Sequence, residues 1–497
     1  MSHRRKLIFQ LAAFFAFSMA FSRLAVVQAA GFTPGDLVVY RAGAAGNTGL
    51  TKTGDPVFID EYTPGGALVQ SVEMPTSTIG SQYELLADGQ ATSEGGLTVS
   101  PNAKYIAITG YGAASPDGTT SLPNTAVPRV VGIVNVATGA SDTSTAPADY
   151  ALGNNPRSAV TTDGNSIWMT GAAGGVRYAT LGTQGAGSTS TQIGGTPSNV
   201  RQVNIFAGQL YASGASSMTA LLDAMGTGLP YTSGQSANPV PGFPTTTDSA
   251  HLNPYSFFFA ELNPSDHLAA DTLYVADDTT HPSPTLAGGI TKYSYSTVSN
   301  TWVSNGSVDE TSSNYRGLTG VVNISNGNYT VTLYSTREGG STAAGGGQIV
   351  TISDSSGFNG AFNDTAAGAP TVLDTAATNE AFRGIGVISV TGMPGDFNLD
   401  GHVDAADVVA MEEALANPSA YEAANNLSTY QMLAIGDLNH DGRVTTADLQ
   451  TLQLDLKNGG GLLVPEPAAL QLAVLGFVGM CLVGVLRRRK LAATLGQ

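Results

Sequence analysis

Cysteine is almost absent from this chain. Among 497 residues there is one, Cys481, and it lies in an apolar stretch near the C-terminus. No disulfide can therefore hold together the part of the chain that precedes this stretch. Stability there has to come from a hydrophobic core, and the roughly 360 residues from 31 to 390 are long enough to form one.

Histidine is also scarce, with six residues in the whole chain. Three of them, His251, His267 and His281, fall close together between residues 31 and 390. Acidic residues accompany them: Asp266, Asp271, Asp277 and Asp278. A metal site is one interpretation of this group. The surrounding Ser, Thr and Pro residues favour the other interpretation, a solvated loop insertion.

Sequence motifs for catalysis are missing as well. The chain has no GxSxG elbow, no glycine-rich phosphate loop and no HExxH pair. We therefore predict no catalytic and no organic-cofactor residues, and whether the protein is an enzyme stays open, with the balance towards a non-catalytic role.

Basic residues are few where the chain is expected to face solvent. There are 21 Lys and Arg against 38 Asp and Glu, and eight of the basic residues lie in the two terminal segments described below. The remaining part carries 13 basic against 37 acidic residues. Such a surface repels nucleic acid and anionic lipid and favours cations, so nucleic-acid binding is excluded as a function.

Residues 31–390 lack helical periodicity. Short apolar runs alternate with Gly, Asn and Pro, which predicts many short strands. One run recurs with an aromatic residue and a small polar end, as in "QLYASGA" and "TLYSTRE". Its copies centre on Tyr40, Ala107, Trp168, Tyr211, Tyr274 and Tyr334.

Two further motifs flank the aromatic run. A strand with an arginine precedes it, at Arg157, Arg201, Arg316 and Arg383, and a Gly-Gly pair with another strand follows it, as in "GGITKYSY". With a variable outer strand this makes four strands per repeat, the pattern of a β-propeller blade. Six copies predict about six blades, five or seven being alternatives and a sandwich or β-solenoid the rival fold. The likeness to NHL and WD propellers is one of general form.

The order of the motifs also predicts how the ring closes. The region begins at the aromatic run "LVVYRAG" and ends with an isolated arginine strand, "AFRGIGVIS". The last strand should therefore complete the first blade. Two roles are open for the four arginines: pairing with carbonyls or acids of a neighbouring blade, or forming a ring of anion ligands. The aromatic residues are either core or a platform for sugars.

Two acidic loops follow the repeats, "GDFNLDGHVDAAD" and "GDLNHDGRVTTAD". Both have oxygen donors at positions 1, 3, 5, 7, 9 and 12 and glycine at position 6, the pattern of an EF-hand loop. The side-chain and main-chain calcium ligands predicted for the first loop are Asp396, Asn398, Asp400, the His402 carbonyl, Asp404 and Asp407. Those for the second are Asp437, Asn439, Asp441, the Arg443 carbonyl, Thr445 and Asp448.

A helix is predicted to begin at the end of each loop, "ADVVAMEEAL" after the first and "ADLQTLQLDL" after the second. A repeated loop and helix with Asp at position 12 resembles a dockerin module of type I, over about 395–458. The resemblance implies two calcium ions, calcium-dependent folding and docking onto a cohesin. It also implies partner contacts from loop positions 10 and 11, here Ala405, Ala406, Thr446 and Ala447. The 41-residue spacing of the loops and Thr445 at position 9 depart from the family pattern.

The two termini are predicted to be targeting segments. Residues 1–30 have the charged, apolar and small-residue regions of a signal peptide. At the other end, "VPEP" (464–467) precedes an apolar stretch at 468–486 and then an Arg cluster. This segment, 464–490, resembles a PEP-CTERM sorting signal, with motif residues Pro465, Glu466, Pro467, Arg487, Arg488 and Arg489. It implies a transmembrane helix at 468–486, an exosortase, and release to the surface or matrix of a Gram-negative-type bacterium.

The predicted order is signal peptide (1–30), mainly β propeller-like domain (31–390), dockerin-like calcium-binding domain (391–460) and sorting signal (464–490). A secreted or cell-surface protein with a ligand-binding, carbohydrate-binding or structural propeller is the first hypothesis. An extracellular polysaccharide-degrading enzyme of the glycoside hydrolase kind is the second, and would need two carboxylates across a central pocket. A matrix component without a partner is the third.

Overall fold

The computed structural model describes residues 30–457 except 114–120, 196–197, 215–220, 245–252, 264–269, 279–287, 309–313, 326–327, 338, 389–393, 400–402, 426–431, 433–434 and 439–442. The described residues contain no helix that is both long and apolar enough to cross a membrane. The predicted signal peptide up to residue 29, the predicted helix at 468–486 and the sorting motif lie outside the described residues.

The described residues before the acidic loops form six antiparallel, four-stranded units. Units 1 and 2 are joined by short additional strands into one sheet of eleven strands, and units 3 to 6 are four separate sheets. Each unit is given below in the order of its hydrogen-bonded strands. The strands named first contact those of the neighbouring units all the way round, so they are the inner strands. Unit 1 consists of β27 (Glu380–Val387), β1 (Leu37–Ala42), β2 (Asp55–Tyr62) and β3 (Leu68–Glu73). Unit 2 consists of β5 (Thr98–Val99), β6 (Tyr105–Tyr111), β7 (Arg129–Asn135) and β8 (Ser141–Pro147). Unit 3 consists of β9 (Pro156–Thr161), β10 (Ser166–Gly171), β11 (Val176–Thr180) and β13 (Thr191–Gly194).

The other three units follow in chain order. Unit 4 consists of β14 (Val200–Phe206), β15 (Gln209–Gly214), β16 (Leu222–Met225) and β17 (Ala237–Pro239). Unit 5 consists of β18 (Pro254–Ala260), β19 (Thr272–Asp277), β20 (Gly289–Ser296) and β21 (Thr301–Val308). Unit 6 consists of β22 (Tyr315–Ser325), β23 (Asn328–Arg337), β25 (Gln348–Asp354) and β26 (Thr371–Thr375).

The units pack side by side in a cyclic order, which gives a propeller-like arrangement. Six apolar clusters lie between neighbouring units, one each for units 1 and 2, 2 and 3, 3 and 4, 4 and 5, 5 and 6, and 6 and 1. Alternation along β1 shows why: Val38 and Tyr40 face unit 2, whereas Leu37 and Val39 face unit 6. Because side chains alternate along a strand, a strand that is apolar at every position needs a neighbour on both faces.

The two ends of this region meet in unit 1. Strand β27 pairs antiparallel with β1, so the last strand completes the first sheet, as the order of motifs predicts. A buried ion pair supports the junction: Arg41 on β1 donates two hydrogen bonds to Asp60 on β2, and its Nη1 lies 3.1 Å from Glu380 on β27. No sheet of the described residues closes on itself; the contacts between units complete the ring.

The predicted repeat agrees with the strand pairing. All six aromatic-run positions lie on the second strand of a unit, and Trp168, Tyr274 and Tyr334 belong to the clusters between units. They are core residues rather than a platform for sugars. The small polar ends of the runs bridge units: Ser213 donates to the carbonyl of Tyr255 in the next unit, and Thr336 to that of Arg383.

Three two-residue strands were not predicted. Strand β4 (Leu86–Ala87) joins β2 to β6, β12 (Gln184–Gly185) runs parallel to β8, and β24 (Gly345–Gly346) runs parallel to β27. They link adjacent units: β4 joins units 1 and 2, β12 reaches the outer strand of unit 2, and β24 reaches the inner strand of unit 1. Such short links between units do not follow from the repeat within a unit.

Four helices are described, α1 (Asp364–Ala367), α2 (Ala405–Ala416), α3 (Pro418–Asn425) and α4 (Thr446–Lys457). The helices predicted after the two acidic loops are α2 and α4. The region of the acidic loops has an apolar core of its own, made by Phe397, Met411, Ala414, Met432, Ile435 and Leu452. Helices α2 and α4 pack against each other across this core.

Candidate calcium module and arginine cavity

The first acidic loop is closed by the carboxylate of Asp407. Its Oδ1 accepts from the main-chain N–H of Asn398 at 2.9 Å, and its Oδ2 from that of Asp404 at 2.7 Å. Asp404 in turn caps helix α2 by accepting from the N–H of Ala406. Asp407 thus brings together positions 3, 9 and 12 of the predicted calcium set. Asp400 and His402 lie outside the described residues.

The second loop repeats this arrangement. Asp448 Oδ2 accepts from the N–H of Thr445 at 2.8 Å, and Thr445 Oγ1 accepts from the N–H of Ala447 at 3.2 Å. Thr445 therefore takes the capping role that Asp404 has in the first loop. Asp437 and Arg443 are described, and the predicted ligands Asn439 and Asp441 lie outside the described residues.

The starts of the two loops are also alike. Phe397 donates to the Gly395 carbonyl at 3.1 Å, and Leu438 donates to the Gly436 carbonyl at 3.0 Å. The N–H of Gly395 donates to the carbonyl of Ile435 at 2.7 Å, which joins the two loops through their first residues. The repetition seen in the sequence is thus a repetition of local geometry in one folded region.

The acidic residues of the two loops that the structure describes suit a hard cation. Asp396, Asp407 and Asp448 are 1%, 0% and 0% exposed, and buried carboxylates are costly without positive charge or several donors. Burial and the nearby charges of Asp396 and Asp407 raise the pKa of Tyr421, so both acids lie close to one tyrosine. Oxygen donors of this kind are the ligands that calcium takes. Within the described residues no group of three His, Cys, Asp or Glu side chains is placed to bind a metal, and each predicted set includes two residues beyond them.

A second candidate site lies where the inner strands of all six units meet. The cavity there is lined by Arg157, Arg201, Arg316 and Arg383, with Tyr255 from unit 5 and Glu94 and Gly96 from the segment before β5. The four arginines of the repeat therefore converge on one space. The space in it that is open to the centres of water-sized atoms is about 20 Å³, which is room for one small group of a few atoms.

Each arginine has partners in the protein, and those of Arg316 and Arg383 are an acid and a main-chain carbonyl, the kinds that the pairing interpretation predicts. Arg157 donates to Asn199, Arg201 to the Tyr255 hydroxyl at 2.6 Å, and Arg316 lies 2.9 Å from Asp278 of unit 5. Arg383 donates to the carbonyl of Gly89 at 2.9 Å. These contacts use the Nη atoms. The buried Nε–H groups of Arg157, Arg201 and Arg316 have no hydrogen-bond partner in the part of the chain that the structure describes.

Sequence reasoning missed Tyr255 and Glu94. Tyr255 could have been found, because "PYSFFFA" in unit 5 shares its proline and serine with "PRSAV" in unit 3, which places Tyr255 at the arginine position. Glu94 lies in a loop without a repeated motif. It is the one carboxylate among the described lining residues, whereas the enzyme hypothesis needs two.

The proton affinity of Glu94 is unusual. Burial, and secondarily the charge of Asp88, raise its pKa to about 8, although Asn155 and Tyr111 donate hydrogen bonds to it. At neutral pH the side chain is therefore mostly protonated. The titratable and charged groups around it are Asp88, Tyr40, Tyr111, Tyr150, Arg129, Arg157 and Arg383.

A pH-dependent stability follows from Glu94. Between its ordinary pKa of 4.5 and about 8 the unfolded chain has lost this proton while the folded protein keeps it. The free energy of unfolding should therefore decrease as pH rises through this range, and the decrease should end above pH 8. Urea unfolding from pH 5 to 8 measures it. Glu94→Gln should show a shallower decrease, while Glu73→Gln, at an exposed site, should follow the parent; parallel curves for parent and Glu94→Gln would contradict the prediction.

The acidic side chains near the three histidines of residues 251–281 have other roles. Asp271 accepts from the main-chain N–H groups of Leu262 and Asn263, and Asp278 pairs with Arg316. Asp266 and the three histidines, His251, His267 and His281, lie outside the described residues.

Comparison with known proteins identifies one region. The Dockerin type I domain matches residues 394–457, which confirms the resemblance inferred from the two loops. Domains of this type bind calcium, typically bind cohesin partners, and indicate an extracellular or cell-surface protein. No curated protein matches the chain.

Solved structures similar to the chain are distant. The soluble aldose sugar dehydrogenase from Escherichia coli is 11% identical, with a TM-score of 0.34 over 60% of this chain and 92% of that one. A glucose dehydrogenase is 8% identical, with a TM-score of 0.35 over 65% and 98%. The Dos1 propeller is 8% identical, with a TM-score of 0.30 over 58% and 64%. Similarity at this level says nothing about activity or substrate.

Proposed function

We propose that the chain is an exported, non-catalytic bacterial protein that attaches to a partner outside the cell through a calcium-binding module at residues 391–460. The observation that carries this proposal is the repeated half-site, in which Asp407 and Asp448 each close an acidic loop onto the start of a helix. Two equivalent loops on one core are arranged for two calcium ions. The ligands are those predicted from the sequence, with six positions in each loop.

The body of the protein, residues 31–390, serves in this proposal as a six-bladed β-propeller that presents a ligand-binding, carbohydrate-binding or structural face. Support comes from the six four-stranded units and from the six apolar clusters that follow one another around them. Extracellular polysaccharide is a partner that suits this location.

Export and sorting belong to the same proposal. A signal peptide at 1–30 directs the chain out of the cytoplasm, and the segment 464–490 holds it in the inner membrane until an exosortase acts on it. The protein then reaches the cell surface or matrix. The sequence motifs at both ends support this step.

The proposed docking surface is exposed in the structure. Ala405 and Ala406 begin helix α2, Thr446 and Ala447 begin helix α4, and all four lie on the surface. Side chains this small at a helix start leave room for close approach by a partner. The two pairs are equivalent, so either half of the module offers the same kind of contact.

The attachment proposal is tested with immobilised type I cohesins and the purified full-length chain. Binding is expected in calcium and should be lost in a chelator. Replacing Ala406 and Ala447 with arginine should weaken binding about tenfold or more, since bulk and charge are placed in the contact, while calcium binding stays intact. Val298→Arg, at a 96% exposed site in the body, is the control. Absence of binding in calcium would contradict the adaptor role and favour a spacer.

A further inference from the structure

The arginine cavity has features that the calcium module does not explain. It receives one residue position from each unit, namely Arg383, Gly96, Arg157, Arg201, Tyr255 and Arg316 from units 1 to 6. Four of these six positions are guanidinium groups, although basic residues are scarce between the two terminal segments. A packing role alone would be met by apolar residues, since buried charge is costly to maintain.

The space is too tight for larger side chains at its edge. A Cβ on Gly384 would lie 2.3 Å from the main-chain N of Leu97, and a Cβ on Gly96 would lie 2.8 Å from the carbonyl of Arg157. The inner strands approach each other closely at these glycines, and the N–H of Gly96 donates to the Arg157 carbonyl at 2.8 Å. The backbone therefore fixes the positions from which the arginines reach the cavity.

Positive charge in the cavity is in excess. Burial, followed by the charge of Arg201, lowers the pKa of Arg157 to about 10, and burial with the charge of Arg316 lowers that of Arg383 to about 10. Asp278 offsets Arg316, and Glu94 is mostly protonated at neutral pH. Arginines held near each other with incomplete compensation favour an anion between them.

Hydrogen-bond donors are available as well. The Nε–H groups of Arg157, Arg201 and Arg316 are buried without a partner among the described residues, and Arg157 is 6% exposed. An unsatisfied buried donor is unfavourable in proteins, so three of them on residues that line one cavity favour a shared acceptor. An oxyanion has enough oxygens to accept from several guanidinium groups at once.

We propose that this cavity binds one oxyanion group, a carboxylate or sulfate, either free or carried at an accessible position of a larger acidic molecule. The volume of about 20 Å³ limits the ligand to a single such group. A polyanion lying across the body is disfavoured, because the chain as a whole carries excess acid. The site is separate from the calcium module, so this proposal and the attachment proposal can fail independently.

Calorimetric titration of the purified full-length chain with sodium sulfate, sodium glucuronate and glucose tests the proposal. Ionic strength is held constant with chloride, because weak surface effects are screened alike. Sulfate or glucuronate should bind in a 1:1 ratio, in calcium and in chelator alike, and glucose should not. Binding of sulfate alone indicates a free small anion, and binding of glucuronate indicates an acid group carried on a sugar.

Variants locate the site. Arg201→Gln should weaken binding about tenfold or more, and Arg201→Lys, which keeps the charge but loses the forked donors, should weaken it less. Arg177→Gln, an arginine of unit 3 that pairs with Asp149 outside the cavity, should bind like the parent. If the Arg201 variants fail to fold, the unfolding midpoint of the parent in low millimolar sulfate against chloride of the same ionic strength gives the answer, since the general stabilisation by sulfate needs far higher concentrations. No binding and no shift in the midpoint, or binding that survives Arg201→Gln, would overturn the proposal.

Discussion

Replacing both Asp407 and Asp448 with asparagine is expected to abolish tight calcium binding and to unfold the region matched as a dockerin domain. Both carboxylates are fully buried, and each holds the ninth position of its own loop through a hydrogen bond. Asparagine keeps the size of the side chain but removes one negative charge from each site. Because calcium affinity follows the number of charged ligands, each site should lose about two orders of magnitude or more in affinity.

Loss of helix content should accompany loss of calcium. The same carboxylates hold Asp404 and Thr445, the residues that cap α2 and α4, and the small core around Phe397 and Leu452 joins the two loops. A buried acid cluster repels itself when no cation is present, so calcium binding contributes to folding free energy in such a module. The variant in calcium should therefore resemble the parent in chelator.

Calorimetry and far-ultraviolet circular dichroism of the full-length chain measure these effects. The parent should bind two ions per chain and the double variant none in the same concentration range. Asp455→Asn, an exposed acid on α4, is the matched control and should bind like the parent. Unchanged stoichiometry in the double variant would show that the ions, if bound, are held elsewhere.

The two single variants should differ. The second loop has Thr445 where the first has Asp404, and so it has one carboxylate fewer. Its affinity for calcium should be the lower of the two. Asp448→Asn should accordingly remove the weaker of two binding events, and Asp407→Asn the tighter one.

Much of the strand order could be predicted from the sequence, because it depends on local periodicity. An aromatic residue flanked by apolar ones and ended by a small polar residue recurs at Trp168, Tyr211 and Tyr334, and each copy is the second strand of its unit. The polar ends have a physical role that spacing alone does not reveal: Ser213 and Thr336 bind the inner strand of the following unit. The closure through β27 followed from the phase of the repeat.

The cavity was harder to predict, because it brings together residues that are distant in sequence. The four arginines were recognised, but their convergence with Glu94 and Tyr255 depends on how six inner strands meet at one axis. Pairing with neighbouring units and ligand binding were posed as alternatives. In the structure the Nη atoms contact neighbouring units, while the Nε–H groups of Arg157, Arg201 and Arg316 have no partner among the described residues and are the donors that the proposed anion would use.

Replacing Lys292 with methionine is expected to be the most damaging single change in the body. Lys292 is 0% exposed, and its Nζ lies 2.8 Å from Asp354, which also accepts from the Tyr274 hydroxyl at 2.6 Å. The pair joins the third strands of units 5 and 6. Methionine has similar length but leaves Asp354 buried without its counter-charge, and breaking a buried pair in this way lowers stability by about 3–5 kcal/mol.

The stability lost in Lys292→Met should depend on pH, because Asp354 can take up a proton. Burial by itself raises the pKa of Asp354, but hydrogen bonds from Lys292, Ser356 and Tyr274 outweigh it and leave that pKa lowered. In the parent the pair is therefore lost only when pH falls through the lowered pKa. Replacing Lys292 removes both its hydrogen bond and its charge, so the pKa of Asp354 should be higher in the variant than in the parent, and the stability lost relative to the parent should be smaller at pH 5 than at pH 8.

Urea unfolding of the full-length chain at these two pH values measures the difference in the free energy of unfolding between the parent and Lys292→Met. The double variant Lys292→Met with Asp354→Asn should recover part of the loss, because no unpaired charge is then buried. Arg177→Met is the comparison: its partner Asp149 has a side chain that is 31% exposed, so water can solvate the remaining charge and the loss should be less than half as large. A deficit that is equal at both pH values and unchanged in the double variant would mean that lost packing around Lys292, rather than the charge on Asp354, accounts for the instability.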